Sequence, residues 1–363
     1  MDFGLSEDQR LLEETVRSFL AGEVPIERVR ELRENELPND RGVWRSLAEL
    51  GVSGILVPEG QGGSALALLD AAVVAQALGH AATPTPFLGC SVMAPTALAT
   101  VTGSAAVAGW LEGIASGEAV FGVAVTERFS VREGAGVRLE GGTLHGKSLM
   151  AIDAGGADWL LVAIDANTLV VVDAQAEGLE VNPLVTVDAT RCTAELVFDG
   201  APPAAVFEDA GEAILRMLDA GRIALAADVI GACDAMVEQS VAYAMERRQF
   251  DRVIGSFQAV KHMCAEMIAE VEPARSLLWY AAHSFNATPD EAPAMACHVL
   301  AHASEIGREI ASVSTQVHGG VGWTDEQNLH FWFKRIGNAR HLLGGPEALR
   351  SRAAELQGLS KAS

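Results

Sequence analysis

From about residue 209 to its end the chain carries apolar residues at helical spacing almost without a break. Ile214, Leu218, Ala224, Leu225, Val229 and Met236 form one broad stripe on a helix predicted to run to about Arg248. A stripe of that length is stable only if other helices cover it. A second run, starting near Ser256, places Val260, Met263, Met267, Val271, Ala274 and Leu278 on one face. Two more follow over about 289–317 and 326–341, so the expectation is an up-down bundle of four antiparallel helices in 206–363.

The first segment, 1–117, also reads as helical. Ser6 with Gln9 three residues later is a capping-box opening, followed by Leu11, Leu12, Val16, Phe19 and Leu20. A further helix carries Trp44, Leu47 and Leu50 and stops at Gly51, and an Ala/Leu/Val-rich one spans 65–78. Between these helical parts, 118–205 changes character. Phe121, Val123 and Val125 alternate, and the runs 159–163 and 168–172 read as strands. Leu179 with Val181, Val185 with Val187, and Leu196 with Phe198 suggest more. The fold class expected is mainly α with a small, β-barrel-like middle domain.

Lys plus Arg number 26 against 48 Asp plus Glu, a net charge of −22, which excludes a phosphate-tracking nucleic-acid binder. The N-terminus has no basic and apolar leader, and the apolar stretch 65–77 is broken by Asp70 and Gln76. It falls short of the roughly 20 apolar residues that span a bilayer, and the expected location is cytoplasmic. Five scattered cysteines without a CxxC pair argue against a disulfide framework or a zinc site. His298 and His302 share a helical face but have no third ligand near them in sequence, so no metal is expected.

Two local patterns carry chemistry. Arg247, Arg248 and Arg252, in the stretch 246–252, would make an anion site if they converge; the alternative is a solvated helix–helix corner. The run 316–322 places Gly319, Gly320 and Gly322 where a helix ends and another group can approach the backbone, although such a run is also an ordinary turn. GxSxG, GxxxxGK[ST] and strand-borne GxGxxG motifs are absent.

Taken together, the helix–β–helix order and these motifs resemble the acyl-CoA dehydrogenase family from end to end. The stretches 3–9, 44–51 and 57–63, then 247–258 and 316–322, are its matching segments. The resemblance implies a flavoprotein in which FAD lies across a subunit interface. It assigns Arg247, Gln249 and Phe250 to the pyrophosphate and ring of a neighbour's FAD, Gln258 to its adenosine side, and Gln316, Gly319 and Gly320 to its diphosphate region. Asp251 stands where the family usually has Gly, with Arg252 beside it.

The flavin-side motifs depart from the family. Its Val-Thr-Glu-Pro strand and small-residue turn correspond to 125–130, where Arg128 and Phe129 intervene, and its Trp-Ile-Thr aligns within 149–152, which carries no hydroxyl. Neither usual base is present: Leu343 stands at the Glu that precedes a Gly, and Gly221 at the alternative Glu before an Arg, here Arg222. Asp219, Glu212 and His341 are the nearby substitutes. The resemblance therefore points to a non-catalytic partner in a heteromeric actinobacterial enzyme of the sterol side-chain type. It would work with a base-bearing sister subunit and an electron-transfer flavoprotein or similar acceptor, on a bulky or branched acyl-CoA. The alternatives are a homomeric flavoprotein with a substitute base, a flavin monooxygenase on the same fold, or a scaffold that binds no flavin.

Overall fold

The computed structural model describes residues 4–34, 40–102, 104–125 and 134–359. The N-terminal helices are α1 (Glu7–Glu23), α2 (Ile26–Glu34), α3 (Arg41–Glu49), α4 (Leu68–His80), α5 (Ala94–Leu98) and α6 (Ala106–Ser116). A π-helical turn, Phe87–Met93, leads into α5. The capping box of α1 forms as expected: Gln9 N donates to Ser6 Oγ at 3.1 Å, and Ser6 N donates to Gln9 Oε1 at 3.0 Å. Helix α2 lies outside the elements expected from the sequence, although Ile26, Val29 and Leu32 recur at helical spacing and Val29 and Leu32 are buried.

Among the described residues, the middle region holds two four-stranded sheets. One has the order β1 (Phe121–Ala124), β4 (Trp159–Ala163), β5 (Leu169–Asp173), β8 (Ala205–Phe207). The other has the order β2 (Gly136–Glu140), β3 (Thr143–Ala151), β7 (Ala194–Ala201), β6 (Leu179–Pro183). A bridge between Val123 and Ile152 joins the two. Val185 and Val187 alternate like strand residues but lie in the loop after β6, 102% and 70% exposed; the β6 ladder ends at Pro183.

Helix α7 (Gly211–Glu246) is the pillar of the molecule, about 54 Å long at 1.5 Å per residue. Its middle is buried on every side, as befits a helix whose apolar residues are not confined to one stripe. The hairpin β9 (Arg248–Gln249) and β10 (Arg252–Val253) turns the chain into α8 (Gln258–Ala287), and α9 (Ala292–His318) follows. Helix α9 runs parallel to α7: Gly307 faces Val229 and Cys233, Ser314 Oγ is 2.7 Å from Ser240 Oγ, and His318 stacks on Tyr243. The helix expected over about 326–341 is α10 (Leu329–Ala339), and a further helix, α11 (Pro346–Leu356), starts at Pro346 after Gly344 and Gly345.

Two contacts fix α7 against the other parts. Helix α4 crosses it backbone to backbone: a Cβ on Gly79 would overlap the Asp228 carbonyl oxygen, and one on Gly231 would overlap that of Gln76. Beside this crossing Asp228 is buried between two arginines. Arg191 Nη2 lies 2.6 Å from Asp228 Oδ1, and Arg335 Nη2 lies 2.6 Å from Oδ2. Arg335 Nη1 also donates to Thr190 Oγ1 at 2.7 Å, and Thr190 Oγ1 donates to Asp188 Oδ1 at 2.6 Å. The network thus ties α7 to the β6–β7 loop and to α10. The cavity left beside it, lined by Thr85, Phe87, Arg191, Leu225, Asp228 and Arg335 among others, is about 10 Å³, space for about one water.

Asp153 lies just after β3, is 1% exposed and has φ 54°. Its Oδ2 accepts from Gly89 N at 2.7 Å, which pins the π-helical turn to the sheet. Burial pushes its carboxyl up to about 6, with the Gly89 hydrogen bond and the two arginines opposing.

These contacts set two expectations for stability. Gly231→Ala should lower it by roughly 1–3 kcal/mol or more, since the helices must separate; chemical denaturation measures it. The Asp153 carboxyl is higher in the folded than in the unfolded chain, so ionising it costs stability as pH rises through about 6. Asp153→Asn keeps the Gly89 hydrogen bond and should be more stable than wild type at pH 7.5, by at most about 3 kcal/mol. That advantage should fade as pH falls toward 4. An advantage independent of pH would contradict the assignment.

Candidate functional site

The two base positions implied by the resemblance are far apart in sequence, on α7 and in the α10–α11 connection, yet they meet in space. A Cβ on Gly221 would lie 3.0 Å from Leu343 Cδ1 and 3.0 Å from Cγ and Sδ of Met93. Leu343 is 3% exposed and Met93 fully buried, so apolar groups fill the volume where a carboxylate would stand. Leu343 adopts φ 55°, a left-handed conformation that costs a side-chain-bearing residue about 1–2 kcal/mol. Arg222 Nε donates to the Leu343 carbonyl oxygen at 3.2 Å and helps to hold that turn.

The substitute bases lie elsewhere. Asp219 is buried and paired with Arg222, Oδ1 to Nη1 at 3.0 Å. Burial raises its carboxyl while the Arg222 charge and hydrogen bond pull against this. Glu212 and His341 are exposed. The three atoms nearest the implied Gly221 Cβ belong to Leu343 and Met93, none of them to a carboxylate or imidazole.

On the flavin side, Ile152 is buried and exchanges backbone hydrogen bonds of 2.8 Å with Val123. Its aliphatic side chain offers no donor, in keeping with the sequence reading of 149–152. The departure at 126–130 lies outside the described residues. Sequence reasoning missed the ionic network just behind this region. Its one contiguous trace was Asp188-Ala189-Thr190-Arg191, while Asp228 and Arg335 sit far along the chain.

The residues assigned to a neighbour's FAD gather at the opposite end of the bundle. Arg247 caps α7 in an extended conformation, is exposed, and has no ion pair among the described residues. Gln249 lies on β9; Phe250 and Asp251 form the hairpin tip with φ 52° and 61°, and Phe250 is 86% exposed. Arg248 Nη2 donates to the Asp251 carbonyl oxygen at 3.2 Å, and the Arg252 guanidinium lies 4.0 Å from the Phe257 ring centroid. Gln258 is the first residue of α8 and exposed, its Nε2 3.4 Å from His262 Nε2. The stack of Tyr243 on His318, at 4.7 Å between centroids, brings the end of α9 to this same end. There Gln316 is exposed, and Gly319 and Gly320 open onto free space, with no atom within 4 Å of either implied Cβ. Arg247, Arg248 and Arg252 thus share one exposed hairpin, at the bundle end that also carries the glycine turn, a setting suited to a bound anion.

Comparison with known proteins identifies the family. The acyl-CoA dehydrogenase N-terminal domain matches residues 6–118, and the acyl-CoA dehydrogenase C-terminal domain matches residues 210–356. A relative from Mycolicibacterium smegmatis, acyl-CoA dehydrogenase IpdE2, is 34% identical over 97% of this chain and 100% of its own length. Among solved structures, the ChsE4-ChsE5 complex from Mycobacterium tuberculosis superposes with a TM-score of 0.90 at 27% identity, over 100% of both chains. A variant of the Tcur3481-Tcur3483 steroid ACAD does so with a TM-score of 0.86 at 27% identity, over 98% of this chain and 99% of that one. Among the described residues no helix is long and apolar enough to cross a membrane. With two domains matched and full-length relatives at this level, the chain belongs to the acyl-CoA dehydrogenase family of oxidoreductases.

Proposed function

We propose that this chain is the non-catalytic partner in a heteromeric FAD-dependent acyl-CoA dehydrogenase. In that role it lends Arg247, Gln249, Phe250, Gln258, Gln316, Gly319 and Gly320 to an FAD held mainly by a base-bearing sister subunit. The observation that carries the reading is the Gly221–Leu343–Met93 contact, where both base positions are apolar and close-packed. Without a positioned base, α-proton abstraction forfeits roughly 10²–10⁴-fold in rate. Asp219 is committed to Arg222, and Glu212 and His341 face solvent, so a substitute base finds no support.

The residues at the open end suit the diphosphate and ring of FAD. Arg247 offers a guanidinium with no ion pair among the described residues, the glycine turn admits close approach of phosphate oxygens, and Phe250 presents an exposed aromatic face. When bound, FAD accepts the β-hydride of the acyl-CoA. This chain's part is to bind and orient it, while the sister subunit removes the α-proton. The two-protein names of the ChsE4-ChsE5 and Tcur3481-Tcur3483 structures, the latter a steroid ACAD, favour a heteromeric enzyme acting on a bulky or branched acyl-CoA. An electron-transfer flavoprotein or similar acceptor would then reoxidise the flavin, and the location would be cytoplasmic.

The first test is the visible absorbance spectrum, with FAD counted per polypeptide. The chain purified alone should be colourless and should turn yellow on co-expression with a base-bearing acyl-CoA dehydrogenase chain. One FAD per polypeptide in the lone chain would overturn the proposal. In the complex, Arg247→Ala should weaken FAD binding by about 10–100-fold, as expected for a lost charge-assisted hydrogen bond. Unchanged FAD content and turnover would place the shared site elsewhere.

A further inference from the structure

The glycine turn that follows α9 is held at both ends, and neither hold uses a side chain of the turn itself. Upstream, His318 is buried, stacks on Tyr243, and has its Nδ1 2.8 Å from the Ser314 carbonyl oxygen. Downstream, Asp325 is gripped by two arginines. Arg30 Nη1 and Arg33 Nη1, both from α2, each lie 2.8 Å from its carboxylate, and His330 Nε2 lies 2.7 Å away. Arg30 Nη2 also donates to the Asp325 carbonyl oxygen at 2.8 Å and to Asn328 Oδ1 at 2.7 Å, so backbone and side chain are both gripped. The two guanidinium groups lie over the Phe331 ring, 5.5 and 5.3 Å from its centroid.

This cluster is poorly placed to stabilise the fold as a whole. The Asp325 side chain is 62% exposed, and ion pairs in contact with solvent contribute little to global stability. Its charges nevertheless act strongly on one another. The hydrogen bond from Arg33 and the neighbouring Arg30 hold the Asp325 carboxyl far below the usual carboxylate range, while burial lowers the His330 imidazole to about 4 and keeps it neutral at pH 7. What the cluster does fix is geometry. Gly319 sits at φ 67° and ψ −145°, a conformation open to glycine and costly for other residues, and its implied Cβ position has no neighbour to keep it there.

We infer that Asp325 is a positioning residue for FAD: by tying the segment after the glycine turn to α2, it keeps Gly319 and Gly320 in the open arrangement that receives the diphosphate. The inference rests on the shared-site reading above. A cradle ordered in advance binds more tightly because its ordering cost is not charged to the ligand.

The test uses the complex of this chain with its base-bearing sister and FAD as the probe. Asp325→Asn keeps the size and removes the charge. It should raise the FAD dissociation constant about tenfold, the scale expected when a preorganised loop is loosened. Turnover at saturating FAD should be unchanged, and the unfolding temperature of the lone chain should move by less than about 2 °C. Asp325→Glu should recover most of the affinity. Arg247→Ala, measured alongside, separates the two ideas. If it leaves FAD binding unchanged, the shared-site reading has failed. If it weakens binding while Asp325→Asn matches wild type, the positioning role alone is overturned. A loss in Asp325→Asn that is matched by a large drop in the lone chain's unfolding temperature would also overturn it, since the residue would then be structural.

Discussion

The buried carboxylate of Asp228 is the point on which the three parts of this molecule depend. It is enclosed, and it remains ionised only because Arg191 from the β-region and Arg335 from α10 both reach it. Such a charge is a poor source of net stability but a strong constraint. With either arginine gone, the buried carboxylates of Asp228 and Asp188 would share one guanidinium, a defect of about 3–5 kcal/mol. The same stretch of α7 lies against α4 through bare backbone, with Gly79 and Gly231 at the crossing. Ionic lock and glycine crossing together leave α7 little freedom to shift, and every assigned residue of the bundle is placed relative to it.

Helix α7 also separates two ends with different fates. Gly221 near its start belongs to a closed, apolar contact; Arg247 at its finish belongs to an open, cationic surface. The 26 residue steps from one to the other correspond to about 39 Å of helix rise. At that separation the packing of one end places no demand on the side chains of the other. A chain can therefore be filled in at one half-site while the other keeps everything a ligand requires.

What could be read in the sequence was what is local or contiguous. The α1 capping box, the period of α7 to α9, and the strands β1, β4, β5, β6 and β7 announce themselves within short windows. So do the motifs at 247–258 and 316–322. The alternation of Val185 and Val187 is that of a strand whose partner ladder has already ended at Pro183. Helix α10 lies within the expected run of about 326–341, while α11, which starts afresh at Pro346 beyond Gly344 and Gly345, is the helix the apolar period did not announce. The ionic network stays hidden because its members are brought together only by the fold. The meeting of Gly221 with Leu343 is equally out of reach: each is legible as a missing base, but not as a neighbour of the other.

That meeting works as a ratchet. A side chain at 221 would run into both Leu343 and Met93, while a carboxylate at 343 would enter an apolar enclosure whose nearest guanidinium already serves Asp219. Any single replacement toward a functioning base therefore begins with a clash or a stranded charge, and only coordinated changes at two or three positions would avoid both. The glycine and the leucine each hold the other in place, so this apolar contact is far easier to keep than to reopen.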